Sequence, residues 1–303
     1  MRPLFNAKRN FTIFNDFSWY VPGVGGMFAL MGWLVVGALI GGGITIGLQT
    51  FMAKEYCLLI SYPVQFMPAM LFCSLKSRSN AVWGEGVALV SSHFGRWNGV
   101  LLAFLVALLT LAMVFATDSF NWWFAEVSKS SSLLGPWYQS ISELMKSMTG
   151  GTLWVSILTA VVMAPLFEEW LLRGMILRGL LEKMKPVWAI VISAALFGVI
   201  HMNPWQGIPA FFLGCFFGYV YWKTGNLWLT ILMHAVNNGL SVFISNIDSI
   251  KDYEYFREFI PMAGYWTLFA LSIVIIVVAV AALKVIPVEG RSNCDHIAPE
   301  AAE

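Results

Sequence analysis

Eight long apolar stretches divide this chain, and they limit what it can fold into more than any other feature. Only 12% of the 303 residues are charged and 58% are hydrophobic, whereas a soluble domain carries about 25% charged residues. A bilayer is spanned either by helices of roughly 20 apolar residues or by a closed barrel, and unbroken apolar runs favour helices. We therefore predict an all-α fold, a polytopic transmembrane bundle of about eight helices. The predicted spans are 27–52, 56–75, 97–117, 152–180, 187–203, 207–222, 226–245 and 262–284.

The lysines and arginines between the spans predict the orientation, because cytoplasmic loops of membrane proteins are enriched in these residues. With a cytoplasmic N-terminus, most basic loop residues fall on one side, and the opposite loops, 118–151 and 246–261, are mainly acidic. We therefore expect a multi-pass protein of the inner membrane with both termini in the cytoplasm and the lipid bilayer as its surroundings. The net charge of +1 gives no indication of a nucleic acid partner.

The spans and loops predict three regions along the chain. Residues 1–149 comprise three spans and an outer loop, 119–147, whose aromatic residues suit the membrane–water interface. Residues 150–245 contain most of the ionisable groups that interrupt apolar stretches, so they are the predicted catalytic core. Residues 246–303 comprise a second outer loop, the last span and a cytoplasmic tail that is predicted to be disordered. In the first span, the glycines at 41–43 are expected to allow close approach of a second helix.

Polar side chains within the fourth, fifth and seventh spans are out of place in lipid. A charged side chain at the centre of a bilayer costs on the order of 2.5–3.5 kcal/mol, so by default it marks a functional site or a buried partner. The residues concerned are Glu168, Glu169 and Arg173 in the fourth span, His201 at the end of the fifth, and His234 and Asn238 in the seventh.

Helical spacing assigns these residues to faces. Glu169 and Arg173 are four residues apart, so they share a face in the order that favours an ion pair. Glu168 points about 100° away from Glu169, which leaves it free for chemistry. His234 and Asn238 are also four apart and can face one point. By the same spacing, Phe197 is expected to place an aromatic wall beside the imidazole of the fifth span.

These residue types suit amide hydrolysis without a covalent nucleophile. A carboxylate at a low-dielectric site can act as a general base on water, and a His–Asn pair can donate hydrogen bonds to an oxyanion. Alternatively, Glu168, His201 and His234 could hold a divalent metal such as zinc with an open position for water; no other cofactor is indicated. The chain has no His-Glu-x-x-His zinc helix, no Gly-x-Ser-Gly stretch and no paired aspartates for other intramembrane protease chemistries.

Three short motifs in this part of the chain follow one another in order. They are Glu168-Glu169-x-x-x-Arg173, Phe197-x-x-x-His201 and His234-x-x-x-Asn238. They resemble the three motifs of the CPBP family, which comprises CAAX prenyl endopeptidases of type II, Abi-type proteins and bacteriocin-processing or self-immunity proteins. The resemblance covers roughly residues 150–245, about a third of the chain. Each motif alone is weakly specific, but three in order at the family spacing are strongly so.

The resemblance implies an all-helical bundle with an intramembrane catalytic cavity and a division of roles within it. Glu168 would activate water together with His201, and the histidine and asparagine of the third motif would stabilise the oxyanion. The Glu169–Arg173 pair would support the site. The resemblance does not decide whether a metal takes part, so the zinc alternative stays open.

The leading hypothesis is therefore an intramembrane endopeptidase, a hydrolase that cuts a peptide bond in a membrane-associated or lipid-modified protein or peptide. The alternative is a non-enzymatic membrane immunity or regulatory protein, in which the polar cluster only fixes helix packing. A proton-coupled carrier is a third hypothesis, although the sequence lacks the repeated pair of broken helices that many carriers show.

Overall fold

The computed structural model describes residues 17–80, 96–149 and 152–285, and these are mainly helical, with no β-strand among them. Residues 1–16 and the predicted disordered tail lie outside the described residues. We number the helices in chain order. They are α1 (Val24–Leu48), α2 (Lys54–Asn80), α3 (Arg96–Lys129), α4 (Leu134–Thr149), α5 (Leu153–Leu181), α6 (Pro186–Ile200), α7 (Pro204–Thr224), α8 (Leu227–Ser245), α9 (Phe256–Phe259) and α10 (Met262–Val285).

Each of the eight predicted spans corresponds to a helix. Within the described ranges, six of these helices (α1, α2, α3, α5, α8 and α10) are long and apolar enough to cross a membrane. The other two differ from that pattern. Helix α6 has 15 residues and reaches only about 22 Å, less than the roughly 30 Å of a hydrocarbon core, whereas α7 is long enough but less apolar. The prediction of an all-α, polytopic bundle is confirmed.

The segment 119–147, which the sequence suggested as an outer loop, is mostly helical. Helix α3 continues through it to Lys129, and α4 occupies the rest. The aromatic rings in α4 serve packing, because Trp137 and Tyr138 meet Trp205 of α7 edge-on, at centroid distances of 4.9 and 5.3 Å. Helix α4 therefore covers the beginning of α7.

Helices α1 and α2 form a hairpin in which the two main chains approach each other closely. A Cβ atom at Gly37 would lie 1.9 Å from the carbonyl oxygen of Gln65, and one at Gly41 would lie 2.8 Å from that of Ser61. The expectation of close helix approach therefore holds for Gly41. It does not hold for the two glycines that follow, where a Cβ would meet nothing within 4 Å.

We expect Gly37→Leu to destabilise this hairpin by about 1–3 kcal/mol or more. A side chain at this position would overlap a main-chain oxygen, which cannot move aside as the flexible end of a side chain can. The measurement is the thermal unfolding midpoint of the protein in detergent micelles. Gly42→Leu is the matched control, since its side chain would enter open space. Equal midpoints for the two variants would contradict this packing.

Helix α5 is irregular where it carries the polar motif. Two π-helical stretches, Ile157–Met163 and Trp170–Leu177, flank a single α-helical segment, Ala164–Glu169. Such π-helical stretches are rare and are frequently found at functional sites. The second stretch is entirely buried, which places α5 at the centre of the bundle.

Candidate active site

The centre of the site is the predicted ion pair within α5. Arg173 donates from Nη1 to Oε1 of Glu169 at 2.9 Å, and both side chains have 0% exposure. Nη2 of Arg173 donates to the carbonyl of Gly214 at 3.0 Å. The guanidinium also lies 4.6 Å and 5.3 Å from the ring centroids of Phe197 and Phe217. Both Nη atoms of Arg173 therefore have hydrogen-bond acceptors, and the ion pair expected from the spacing is present.

His234 of α8 lies between the two adjacent carboxylates of α5. Its Nδ1 is 2.9 Å from Oε1 of Glu169, and its Nε2 is 4.0 Å from Oε2 of Glu168. Because an ionised carboxylate can only accept, Nδ1 is the nitrogen that donates to Glu169. Nε2 is then directed toward Glu168. The two carboxylates thus reach different sides of one buried imidazole, 4% exposed.

Glu168 has one oxygen bound and one oxygen free. Oε1 accepts a hydrogen bond from the hydroxyl of Tyr62 in α2. Oε2 is buried and has no hydrogen-bond partner among the described residues. Its 4.0 Å separation from Nε2 of His234 is too long for a direct hydrogen bond but is spanned by one water molecule at about 2.8 Å from each atom.

Tyr62 was not among the residues predicted from the sequence, because the second span carries almost no ionisable groups and a lone tyrosine there is usually explained by packing. The only signal available was a hydroxyl in the middle of an apolar span.

His201 ends α6 at a sharp turn. It is the C-terminal capping residue, and Met202 after it has a φ of 55°, in the left-handed region. Asn203 then begins α7 by accepting a hydrogen bond from the backbone N–H of Gln206 at 2.9 Å. Helices α6 and α7 therefore form a hairpin whose turn lies next to His201.

The His201 ring contacts an aromatic neighbour rather than the carboxylates. Its Nδ1 is 2.8 Å from the carbonyl oxygen of Phe197, to which it donates. The Phe197 ring meets His201 and His234 edge-on, at centroid distances of 5.1 and 5.4 Å, so the predicted aromatic wall is present. Among the described residues, His201 forms no hydrogen bond or ion pair with Glu168.

The side chain of Asn238 is hydrogen-bonded to the irregular part of α5. In a π-helix each N–H reaches the carbonyl five residues back, and Pro165 has no N–H to offer to Ala160. Asn238 supplies the missing donor through Nδ2, at 2.7 Å, while its Oδ1 accepts from Asn237 at 2.9 Å. One hydrogen of Nδ2 is thus used in packing, and an oxyanion role for Asn238 stays a prediction.

The predicted metal ligands are not brought together. The described part of the chain contains no group of three or more His, Cys, Asp or Glu side chains that could hold a metal ion. Glu168 and His234 approach each other, but His201 is bound to a backbone carbonyl. The zinc set of Glu168, His201 and His234 therefore remains a prediction.

A cavity of about 340 Å³ lies between α3, α4, α8 and the segment before α9. It reaches the polar cluster only at Asn237, and none of the four predicted catalytic residues lines it. The intramembrane catalytic cavity implied by the resemblance therefore stays a prediction. The polar and aromatic lining of the cavity includes Asp118, Tyr138, Trp205, Gln206, Asn237 and Glu254.

A hydrogen-bonded rim closes one side of this cavity. Glu254 accepts hydrogen bonds from Tyr138 and Ser142 of α4. Burial opposes its ionisation, but these two bonds and the nearby charge of Lys146 together lower the pKa of Glu254. Burial is also the main reason that the pKa of Tyr255 rises to about 12. Glu254 is thus ionised at neutral pH and ties α4 to the segment before α9.

All the clustered polar side chains except Tyr62 lie within a single stretch of the chain, from Glu168 to Asn238. Residues 150–240 match the family described as Type II CAAX prenyl endopeptidase Rce1-like. The resemblance predicted from the three motifs is thereby confirmed for this segment, which contains all seven motif residues named above. Nothing in this match extends to α1, α2 or α3.

One relative carries a name that bears on activity. The chain is 27% identical over 97 residues to the candidate membrane peptidase YdiL of Bacillus subtilis (strain 168). The aligned region covers 32% of this chain and 39% of that protein, so the chain spans about two fifths of its relative's length. No solved structure matches the chain.

Proposed function

We propose that the protein is an intramembrane endopeptidase that hydrolyses a peptide bond in a membrane-associated or lipid-modified protein or peptide. The observation that carries this proposal is the free, buried Oε2 of Glu168, 4.0 Å from Nε2 of His234. A buried polar atom without a partner is costly, and because this one lies within reach of His234 through a single water, it is explained best as a place for water or substrate. The match to a peptidase family over residues 150–240 supports the same activity.

In the proposed reaction, a water molecule between Glu168 and His234 gives a proton to Oε2 of Glu168 and attacks the scissile carbonyl carbon. The carbonyl oxygen becomes the oxyanion of a tetrahedral intermediate. Glu168 then passes the proton to the leaving nitrogen as the C–N bond breaks, which restores the carboxylate. No bond to an enzyme side chain forms at any step.

Glu169 and Arg173 prepare His234 for this reaction. Glu169 holds Nδ1 and therefore sets the orientation of the ring, as a buried carboxylate does for a catalytic histidine elsewhere. His234 enters the proposed reaction protonated and keeps its proton throughout, so Nε2 donates first to the water and then to the oxyanion, where a positioned donor is most valuable. Arg173 donates to the same carboxylate and so helps to fix the Glu169 side chain that orients the ring.

His201 and Asn238 are assigned to the site by the family resemblance. Both currently bond to main-chain carbonyls, of Phe197 and Ala160 respectively. Catalytic hydrogen bonds are often long or misaligned without substrate and tighten when it binds. We therefore include both residues, with His201 assisting Glu168 and Asn238 assisting His234 at the oxyanion. A bacterial inner membrane with both termini in the cytoplasm is the proposed setting.

The test uses purified protein in nanodiscs, a library of lipid-anchored peptides, and mass spectrometry to identify new peptide ends. We expect the wild-type protein to cleave at least one member and His234→Gln to slow that cleavage by roughly a hundredfold or more, since the amide does not place a charged donor at the oxyanion. Unfolding midpoints measured in parallel separate a catalytic loss from a folding defect. Undiminished cleavage by His234→Gln would contradict the mechanism.

A non-enzymatic membrane immunity or regulatory protein is the second candidate. It is favoured by the hydrogen bonds of His201 and Asn238 to main-chain carbonyls, which is how a purely structural cluster would use them. Under this alternative, substitution of Glu168 by Gln leaves the cellular phenotype unchanged. The nanodisc assay separates the two candidates because only the first requires cleavage.

A further inference from the structure

Helix α2 contributes a side chain to the site from outside the segment that matches the peptidase family. The hydroxyl of Tyr62 donates a hydrogen bond to Oε1 of Glu168, which is 106 residues away in sequence. We propose that Tyr62 is a positioning residue, which holds Glu168 so that Oε2 is the oxygen that takes the proton from water. This inference rests on the proposed function, because it assigns Tyr62 to the same site.

Aromatic packing determines where the hydroxyl of Tyr62 lies. The Tyr62 ring packs against Phe66 one turn later, with centroids 5.6 Å apart. Phe66 in turn stacks on Phe167, at 5.3 Å and an interplanar angle of 15°. Phe167 directly precedes Glu168 in α5. Three rings therefore fix α2 against α5 at the position where the carboxylate leaves the helix.

The hydrogen bond distinguishes between the two oxygens of Glu168. Tyr62 is the only described residue that bonds to this carboxylate, and it uses Oε1. Oε2 is left buried, unpartnered and 4.0 Å from Nε2 of His234. Without the hydroxyl, both oxygens of a buried carboxylate would lack a donor, and the side chain could rotate to seek one elsewhere. The Glu168 side chain would then adopt several orientations, and only one of them would suit proton transfer from water.

The closing experiment replaces Tyr62 by Phe, which keeps the ring and its packing and removes only the hydroxyl. We expect kcat to fall about tenfold or more, as for the loss of one hydrogen bond to a charged group. KM should stay unchanged, because the hydroxyl is bound to Glu168 rather than to substrate. Tyr56→Phe is the matched control on the same helix, since the Tyr56 ring packs on Trp154 and its hydroxyl has no hydrogen bond among the described residues.

A second measurement does not depend on activity. Infrared difference spectra between wild type and Glu168→Gln isolate the carboxylate stretching bands of Glu168, which respond to hydrogen bonding. We expect these bands to shift in Tyr62→Phe and to remain in place in Tyr56→Phe.

The outcomes separate this inference from the proposed function. If the wild-type protein cleaves and Tyr62→Phe keeps its kcat, the role of Tyr62 is overturned and the peptidase activity stands. Unshifted carboxylate bands overturn it as well, whether or not any peptide is cut. If no peptide is cut by the wild type but the bands shift, the proposed function is wrong while Tyr62 still holds the carboxylate of Glu168.

Discussion

Glu168→Gln is expected to abolish peptide-bond cleavage, with a loss of about 10²–10⁴-fold in kcat, the contribution typical of a positioned general base. The amide has nearly the shape of the carboxylate, and its oxygen can still accept the hydrogen bond from Tyr62. It cannot take a proton from water. The measurement is the initial rate of cleavage in nanodiscs of a peptide that the wild-type protein cuts.

Glu143→Gln is the control for this substitution. Glu143 is an exposed side chain in α4, remote in sequence from the three motifs, so the same change of charge there should leave the rate unaltered. Unfolding midpoints of both variants should match the wild type closely. A Glu168→Gln protein that cuts at the wild-type rate would exclude Glu168 as the base and favour the second, non-enzymatic candidate in its place.

Arg173→Met is expected to have the largest effect on stability. It leaves the fully buried carboxylate of Glu169 with His234 as its only described partner. Removing one member of a buried ion pair typically costs about 3–5 kcal/mol, because the remaining charge is uncompensated. The carbonyl of Gly214 also loses its donor. Thermal unfolding in detergent micelles, with limited proteolysis as a second probe, measures the loss.

Two further variants test the physical reason for that loss. Lys129→Met breaks an exposed pair, in which Lys129 and Glu126 are 39% and 46% exposed, and should cost only about 0–1 kcal/mol. The double variant Arg173→Met with Glu169→Gln removes the uncompensated charge and should recover part of the stability. If the double variant is no more stable than Arg173→Met alone, the buried charge is not the cause.

Features that depend on local spacing were predictable from the sequence. Apolar runs predicted the helices, because the length of a span follows from the thickness of the bilayer. A separation of four residues predicted the Glu169–Arg173 ion pair and the contact between Phe197 and His201. Both contacts are present, the first even though Arg173 lies in the π-helical stretch Trp170–Leu177. The family resemblance indicated which residues belong to the candidate site, but it gave no distances between them.

Features that depend on contacts between distant helices were not predictable. Tyr62 reaches Glu168 only because α2 packs on α5 through aromatic rings. The bond of Asn238 to Ala160 depends on the π-helical stretch Ile157–Met163, where a face calculated with 3.6 residues per turn no longer applies. Glu168 and Glu169, placed on separate faces by α-helical spacing, both approach His234 because its imidazole presents one nitrogen to each of them.

Helix α6 has a consequence for the lipid around the protein. With 15 residues before the turn at His201, it covers about 22 Å of a hydrocarbon layer of roughly 30 Å. Lipid chains beside such a short helix must compress or give way, which is the response to negative hydrophobic mismatch. Val199 and Met202 at the tip of the hairpin are 66% and 86% exposed. We therefore expect a locally thin bilayer beside α6, which shortens the path of water to the carboxylate of Glu168.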